Sequence, residues 1–178
     1  MEKYDLVEKY YNNKEYEKAY KQYFEYAKNG DIYSQKMVGY MLNKGLGVVK
    51  NTTKAFDWYK KAAVIDAEAQ YIYAWYCLEQ KKEQDGIKYL INAAKNNYSP
   101  ASYDLGGIYF FGIYSLPKDI DKAIKFYENA VLNGHVKAID DLLKAKKMKD
   151  GFFKTILYLL QNIFKFYKNM NLSLISRP

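Results

Sequence analysis

A chain of 178 residues with 49% apolar and 27% charged side chains suits one compact domain or a short repeat array, and is too apolar to stay disordered. One histidine, His135, and one cysteine, Cys77, exclude a Cys/His zinc site, an iron–sulfur cluster, an intramolecular disulfide and any catalytic arrangement that needs two histidines. The net charge of +8 is unevenly placed: from residue 144 onward eight basic residues face Asp150 alone, which leaves residues 1–143 near neutrality. That division argues against nucleic acid along the whole molecule and puts any electrostatic partner at the C-terminal end.

The first residues, Met1-Glu-Lys-Tyr-Asp-Leu-Val-Glu-Lys9, carry acids where a signal peptide needs a basic segment, and no apolar stretch follows. The longest aliphatic and aromatic run near the other end, Ile156 to Leu160, is far short of the ~20 residues of a membrane span. A soluble, reducing, cytoplasmic setting is the expectation, with Cys77 a small buried residue in its aromatic-rich segment.

Along the chain, one segment recurs. Lys18-Ala-Tyr-Lys-Gln-Tyr-Phe-Glu-Tyr-Ala27 returns as Lys54-Ala-Phe-Asp-Trp-Tyr-Lys-Lys-Ala-Ala63 after 36 residues, more faintly as Gly86-Ile-Lys-Tyr-Leu-Ile-Asn-Ala-Ala94, and again as Lys122-Ala-Ile-Lys-Phe-Tyr-Glu-Asn-Ala-Val131. An upstream element keeps step: Val38-Gly39-Tyr-Met-Leu42-Asn-Lys-Gly45 matches Leu105-Gly106-Gly-Ile-Tyr109-Phe-Phe-Gly112, with Tyr73-Ala74-Trp-Tyr-Cys77 between them. Small and large residues at i, i+3 or i+4, i+7 and i+8 predict helices in both parts. Each unit is therefore helix A, loop, helix B. The predicted units cover about 1–30, 31–66, 67–98 and 99–134, with a partial one at 135–147. Asn51 and Asp119 are expected to cap B helices, and Gly45, Gly47 and Gly112 to end A helices. His135 is expected to start a further A helix as a polar residue with no nucleophile beside it.

The pattern Val38-Gly39-x-x-Leu42-x-x-Gly45-x-Gly47, followed by Lys54-Ala55-x-x-Trp58-Tyr59-x-x-Ala62-Ala63, resembles the Sel-like repeat, a branch of the tetratricopeptide-like solenoids. Unit three departs from it with a short A–B loop and Gly86 in place of alanine. The resemblance implies an all-α fold, a right-handed α-α superhelix of about four antiparallel helix pairs. It also implies a non-enzymatic, cofactor-free protein-protein interaction module, an adaptor, scaffold or inhibitor that takes a protein or peptide on a concave face lined by the A helices. Off-core residues of those helices are the candidate contacts: Tyr33, Lys36, Tyr40, Asn43, Tyr71, Trp75, Leu78, Tyr103 and Phe110. Their aromatic content suits binding hot spots. A bacterial immunity or antitoxin-type role is an alternative within the same class.

Residues 148–178 lack the repeat signature. Lys154, Thr155, Gln161, Asn162, Lys165, Lys168 and Asn169 fall on one stripe of a predicted helix, and Phe153, Ile156, Leu157, Leu160, Ile163, Phe164 and Tyr167 on the other. Three roles are open for it: a C-terminal amphipathic capping helix, a basic helix on an anionic membrane with Lys154, Lys165 and Lys168 as contacts, or a surface for a partner or a second copy of the chain.

Overall fold

The computed structural model describes residues 3–151, 154–163 and 165. No strand occurs among them. The helices are α1 (Asp5–Asn12), α2 (Tyr16–Lys28), α3 (Ile32–Lys44), α4 (Thr52–Ala62), α5 (Ala67–Glu79), α6 (Glu83–Lys95), α7 (Ser99–Phe111), α8 (Ile120–Leu132) and α9 (Ala138–Asp150), with a further helical stretch over 154–163. Odd-numbered helices α1 to α7 are the A elements and even-numbered α2 to α8 the B elements. The chain forms two compact units, one ending at Ser102 and one starting at Tyr103.

In the first unit each helix packs on the next, from α1 through α6. The chemistry of that packing repeats at fixed helix positions. The fourth residue of each B helix is small: Ala19, Ala55, Gly86 and, in the second unit, Ala123. The eighth is large and buried: Tyr23, Tyr59, Leu90 and Tyr127. The Tyr59 ring lies against Gly39 of α3, where an added Cβ would sit 3.2 Å from ring carbons, and Tyr127 covers Gly106 of α7 in the same way. A tyrosine buries on the order of 150–250 Å², so at about 25 cal/mol per Å² each contributes roughly 4–6 kcal/mol before ordering entropy. The glycine in the facing helix is what lets the ring come this close to the backbone.

Gly86 has a local reason. A Cβ there would come within 2.6 Å of Leu78 Cγ and 3.0 Å of the Ala74 carbonyl, because the short α5–α6 turn brings the two helices together. Lys81, at φ 59°, makes that turn without a glycine. The longer loops end their A helices as the spacing predicts: Gly45 (φ 76°) and Gly112 (φ 70°) take left-handed backbone that glycine adopts without strain. Gly47 lies beyond the end of α3, where an added Cβ would collide with the Tyr16 backbone. Asn51 and Asp119 cap α4 and α8 by accepting the Lys54 and Lys122 N–H groups, each at 2.9 Å. Cys77 is buried, and burial, foremost, raises its thiol pKa.

Two boundaries differ from the sequence expectation. His135 precedes its helix instead of starting it, because Ala138 and Ile139 N–H groups bond the His135 and Val136 carbonyls three residues back, a turn tighter than α pitch. The helix that follows runs on past Lys147 to Asp150, and Gly151 (φ 80°) ends it.

Candidate partner-binding site

Side chains near the start of each A element reach toward the start of the following one. Asp31 caps α3, accepting the Ser34 N–H at 2.8 Å; its other oxygen pairs with Lys3 and accepts the Tyr4 hydroxyl at 2.7 Å. Burial acts to raise that carboxyl, but hydrogen bonds from Lys3, Ser34 and Tyr4 outweigh it and hold Asp31 well below the usual carboxylate range. Lys36, the fifth residue of α3, lies 3.1 Å from Asp66, the cap of α5, and 2.9 Å from Glu68. Burial opposes its charge, yet the two carboxylates keep its pKa above the usual value. Tyr71, the fifth residue of α5, packs its ring on Tyr98, 5.3 Å between centroids. In the second unit Tyr103, the fifth residue of α7, stacks on His135 at 4.3 Å and donates its hydroxyl to Asp141 at 2.9 Å.

Lys36, Tyr71 and Tyr103, predicted as partner contacts, thus all hold the start of the next A helix. Ion pairs, hydrogen bonds or ring packing already engage them. Leu78 is buried at 6% exposure and belongs to the α5–α6 contact. Phe110 is half-buried, in an edge contact with Phe111 and with Lys118 Nζ 5.7 Å from its ring. Lys154 and Lys165 are exposed, and Lys168 lies outside the described residues.

Tyr33, Tyr40, Asn43 and Trp75 remain on the A-helix face of the first unit. Tyr33 and Tyr40 are each 36% exposed. Tyr33 is held edge-on by Tyr4 at 5.1 Å and by Tyr23 at 6.1 Å. Tyr40 hydrogen-bonds Tyr11, whose hydroxyl pKa is pushed up to about 12 by burial and then by that bond. Trp75 is half-buried, edge-on to Tyr71, and Asn43 is partly exposed. Tyr11, Tyr23 and Tyr59 all have raised pKa values, with burial the largest cause, so they stay protonated near neutrality. Sequence reasoning did not single out Tyr11 as a support; its spacing of seven from Tyr4, two turns along one face, is the signal that marks it. It also missed Asp141 as the partner of Tyr103. Among the described residues no group of three His, Cys, Asp or Glu side chains is placed to hold a metal, and no helix is long and apolar enough to cross a membrane.

The family model for the Sel1 repeat matches residues 32–63, 67–98 and 99–135, more than half of the chain. The chain belongs to the Sel1 repeat family. A Sel1-like repeat-containing protein of Acanthamoeba polyphaga mimivirus is 31% identical over 109 residues, covering 61% of this chain and 20% of that protein; the chain spans about a fifth of this relative's length. The Sel1 repeat protein of Oxalobacter formigenes has the same fold, with TM-score 0.74 and 24% identity over 90% of this chain and 69% of its own. A protective antigen of uropathogenic Escherichia coli with an SLR fold superposes with TM-score 0.66 and 22% identity, over 77% of this chain and 30% of its own. The fold class is therefore the all-α Sel1-type solenoid of helix pairs. Sel1 repeats are in general non-enzymatic protein-interaction modules.

Proposed function

We propose that this Sel1 repeat chain is a non-enzymatic protein-binding module that grips a protein or peptide through the A-helix face of residues 1–102, with Tyr33, Tyr40, Asn43 and Trp75 as its contacts. One observation carries this reading: Tyr33 and Tyr40 present a third of their surface while Tyr4, Tyr23 and Tyr11 hold them from behind. Aromatic side chains already immobilised in the free protein lose little entropy on binding, and their amphipathic rings suit interface hot spots. Neutralising a toxin would be one instance of the same grip, and the captured partner would identify it.

The test places a photo-crosslinking phenylalanine at position 40 or 75 of the full chain, with position 21, exposed on α2, as control. Irradiation in the native cell should give one common adduct from 40 and 75 and none from 21. The Tyr40→Ala/Trp75→Ala protein, checked for normal helicity, should lose that partner. Adducts only from position 21, or capture that survives the double substitution, would sink the proposal.

A further inference from the structure

The helical stretch 154–163 turns its apolar side outward. At about 100° per residue, Thr155, Tyr158 and Leu159 share one side and Ile156, Leu157, Leu160 and Ile163 the other. Thr155 is 8% exposed, and the Tyr158 ring lies 3.7 Å from Lys146 Nζ of α9. The other side is open: exposure is 38% at Ile156, 56% at Leu157, 58% at Leu160 and 51% at Ile163. Single exposed apolar residues are ordinary on protein surfaces, but four on one helix face form a patch that marks a contact surface. Lys154 and Lys165 are exposed and border that face on one strip with Gln161.

We infer that this face binds the surface of an anionic lipid bilayer, the helix lying in the headgroup layer with Ile156, Leu157, Leu160 and Ile163 against the acyl chains. Charge selects this occupant. Residues 151–178 contain Lys154, Lys165, Lys168 and Arg177 and not one Asp or Glu. A basic border on an apolar helical face is complementary to anionic headgroups, and each lysine near such a surface adds attraction that salt screens. A second copy of the chain would bring two acid-free segments together, like charge against like. The helix also needs no apolar residue from this outer face for its contact with α9, because Tyr158 and Lys146 already make one. The inference is independent of the grip assigned to residues 1–102.

The full chain is sedimented with vesicles of phosphatidylcholine alone and of phosphatidylcholine mixed with phosphatidylglycerol, at low and high salt. Retention is expected on the mixed vesicles at low salt, with loss at high salt and little on the neutral ones. Leu157→Ser/Leu160→Ser and Lys154→Gln/Lys165→Gln should each bind about tenfold or more weakly, with urea midpoints unchanged because all four positions are exposed. Absent retention on mixed vesicles at low salt, equal retention on neutral vesicles, or retention indifferent to both double substitutions would overturn the inference. So would a concentration-dependent dimer in sizing runs that the Leu157→Ser/Leu160→Ser change dissociates, since the face would then belong to a second copy.

Discussion

Adjacent glycines in α7 should respond to the same substitution with opposite sign. A Cβ on Gly106 would overlap the Tyr127 ring, 2.5 Å from Cε1 and 2.9 Å from Cγ, whereas a Cβ on Gly107 would have only the Tyr127 hydroxyl near it, at 3.8 Å. Both positions are helical, so Gly→Ala brings each the same propensity gain of about 1 kcal/mol. Tyr127 is buried at 3% exposure and must move by about an ångström to admit the methyl, an overpacking that costs typically 1–3 kcal/mol. The propensity gain cancels in the comparison, so Gly107→Ala should exceed Gly106→Ala by about 1–3 kcal/mol. With a urea dependence near 2 kcal/mol per molar, that is roughly 0.5–1.5 M between midpoints. Urea titration followed by circular dichroism reads it directly. Equal midpoints would refute the claim that the Gly106–Tyr127 contact is a tight backbone approach.

The Gln35 and Gln70 amides donate to carbonyls at the C-terminal ends of α2 and α4, at Ala27 (3.3 Å) and at the cap residue Ala63 (3.0 Å), and Gln70 also accepts from Asn96 at 3.0 Å. Gln70→Ala should therefore cost about 1–3 kcal/mol, the penalty for orphaning buried groups, and more than Gln35→Ala in the same urea titration. Asp31→Asn keeps a capping side chain but removes the charge. Because the folded carboxyl is depressed, its contribution to stability is present above its unfolded pKa of about 4 and is lost as pH falls through the folded value. The stability gap between wild type and Asp31→Asn should be constant above about pH 5 and shrink in more acid solution; a gap that widens in acid would show the ion pair to be misassigned.

Helix positions were legible in the sequence because they rest on local chemistry. Small residues every third or fourth place, Asn51 and Asp119 ahead of lysine-alanine pairs, and glycines after A helices all act within one turn of chain. The Val38-Gly39 and Leu105-Gly106 pairs were legible for the same reason, since a glycine inside an apolar helix marks close approach. The surroundings of the candidate residues were only partly legible. Periodicity places Lys36, Tyr71 and Tyr103 off the core register, which is correct for their own helices, but it carries no information about what the next helix brings opposite them.

Sequence alone thus determined the repeat, its helix pairs, the caps at Asn51 and Asp119, and the burial of Cys77. Those features follow from propensity and from the pairing of small with large residues at constant spacing. Tertiary structure alone decided that Lys36 bridges Asp66 and Glu68, that Tyr103 stacks on His135 and bonds Asp141, that Leu78 fills the space a Cβ on Gly86 would need, and that residues 154–163 present Leu157 and Leu160 to the outside. The first three join groups 8 to 38 residues apart in the chain, and the fourth depends on what packs beside that stretch. A one-dimensional period fixes the angle of a side chain about its own axis, and only packing fixes what that side chain meets.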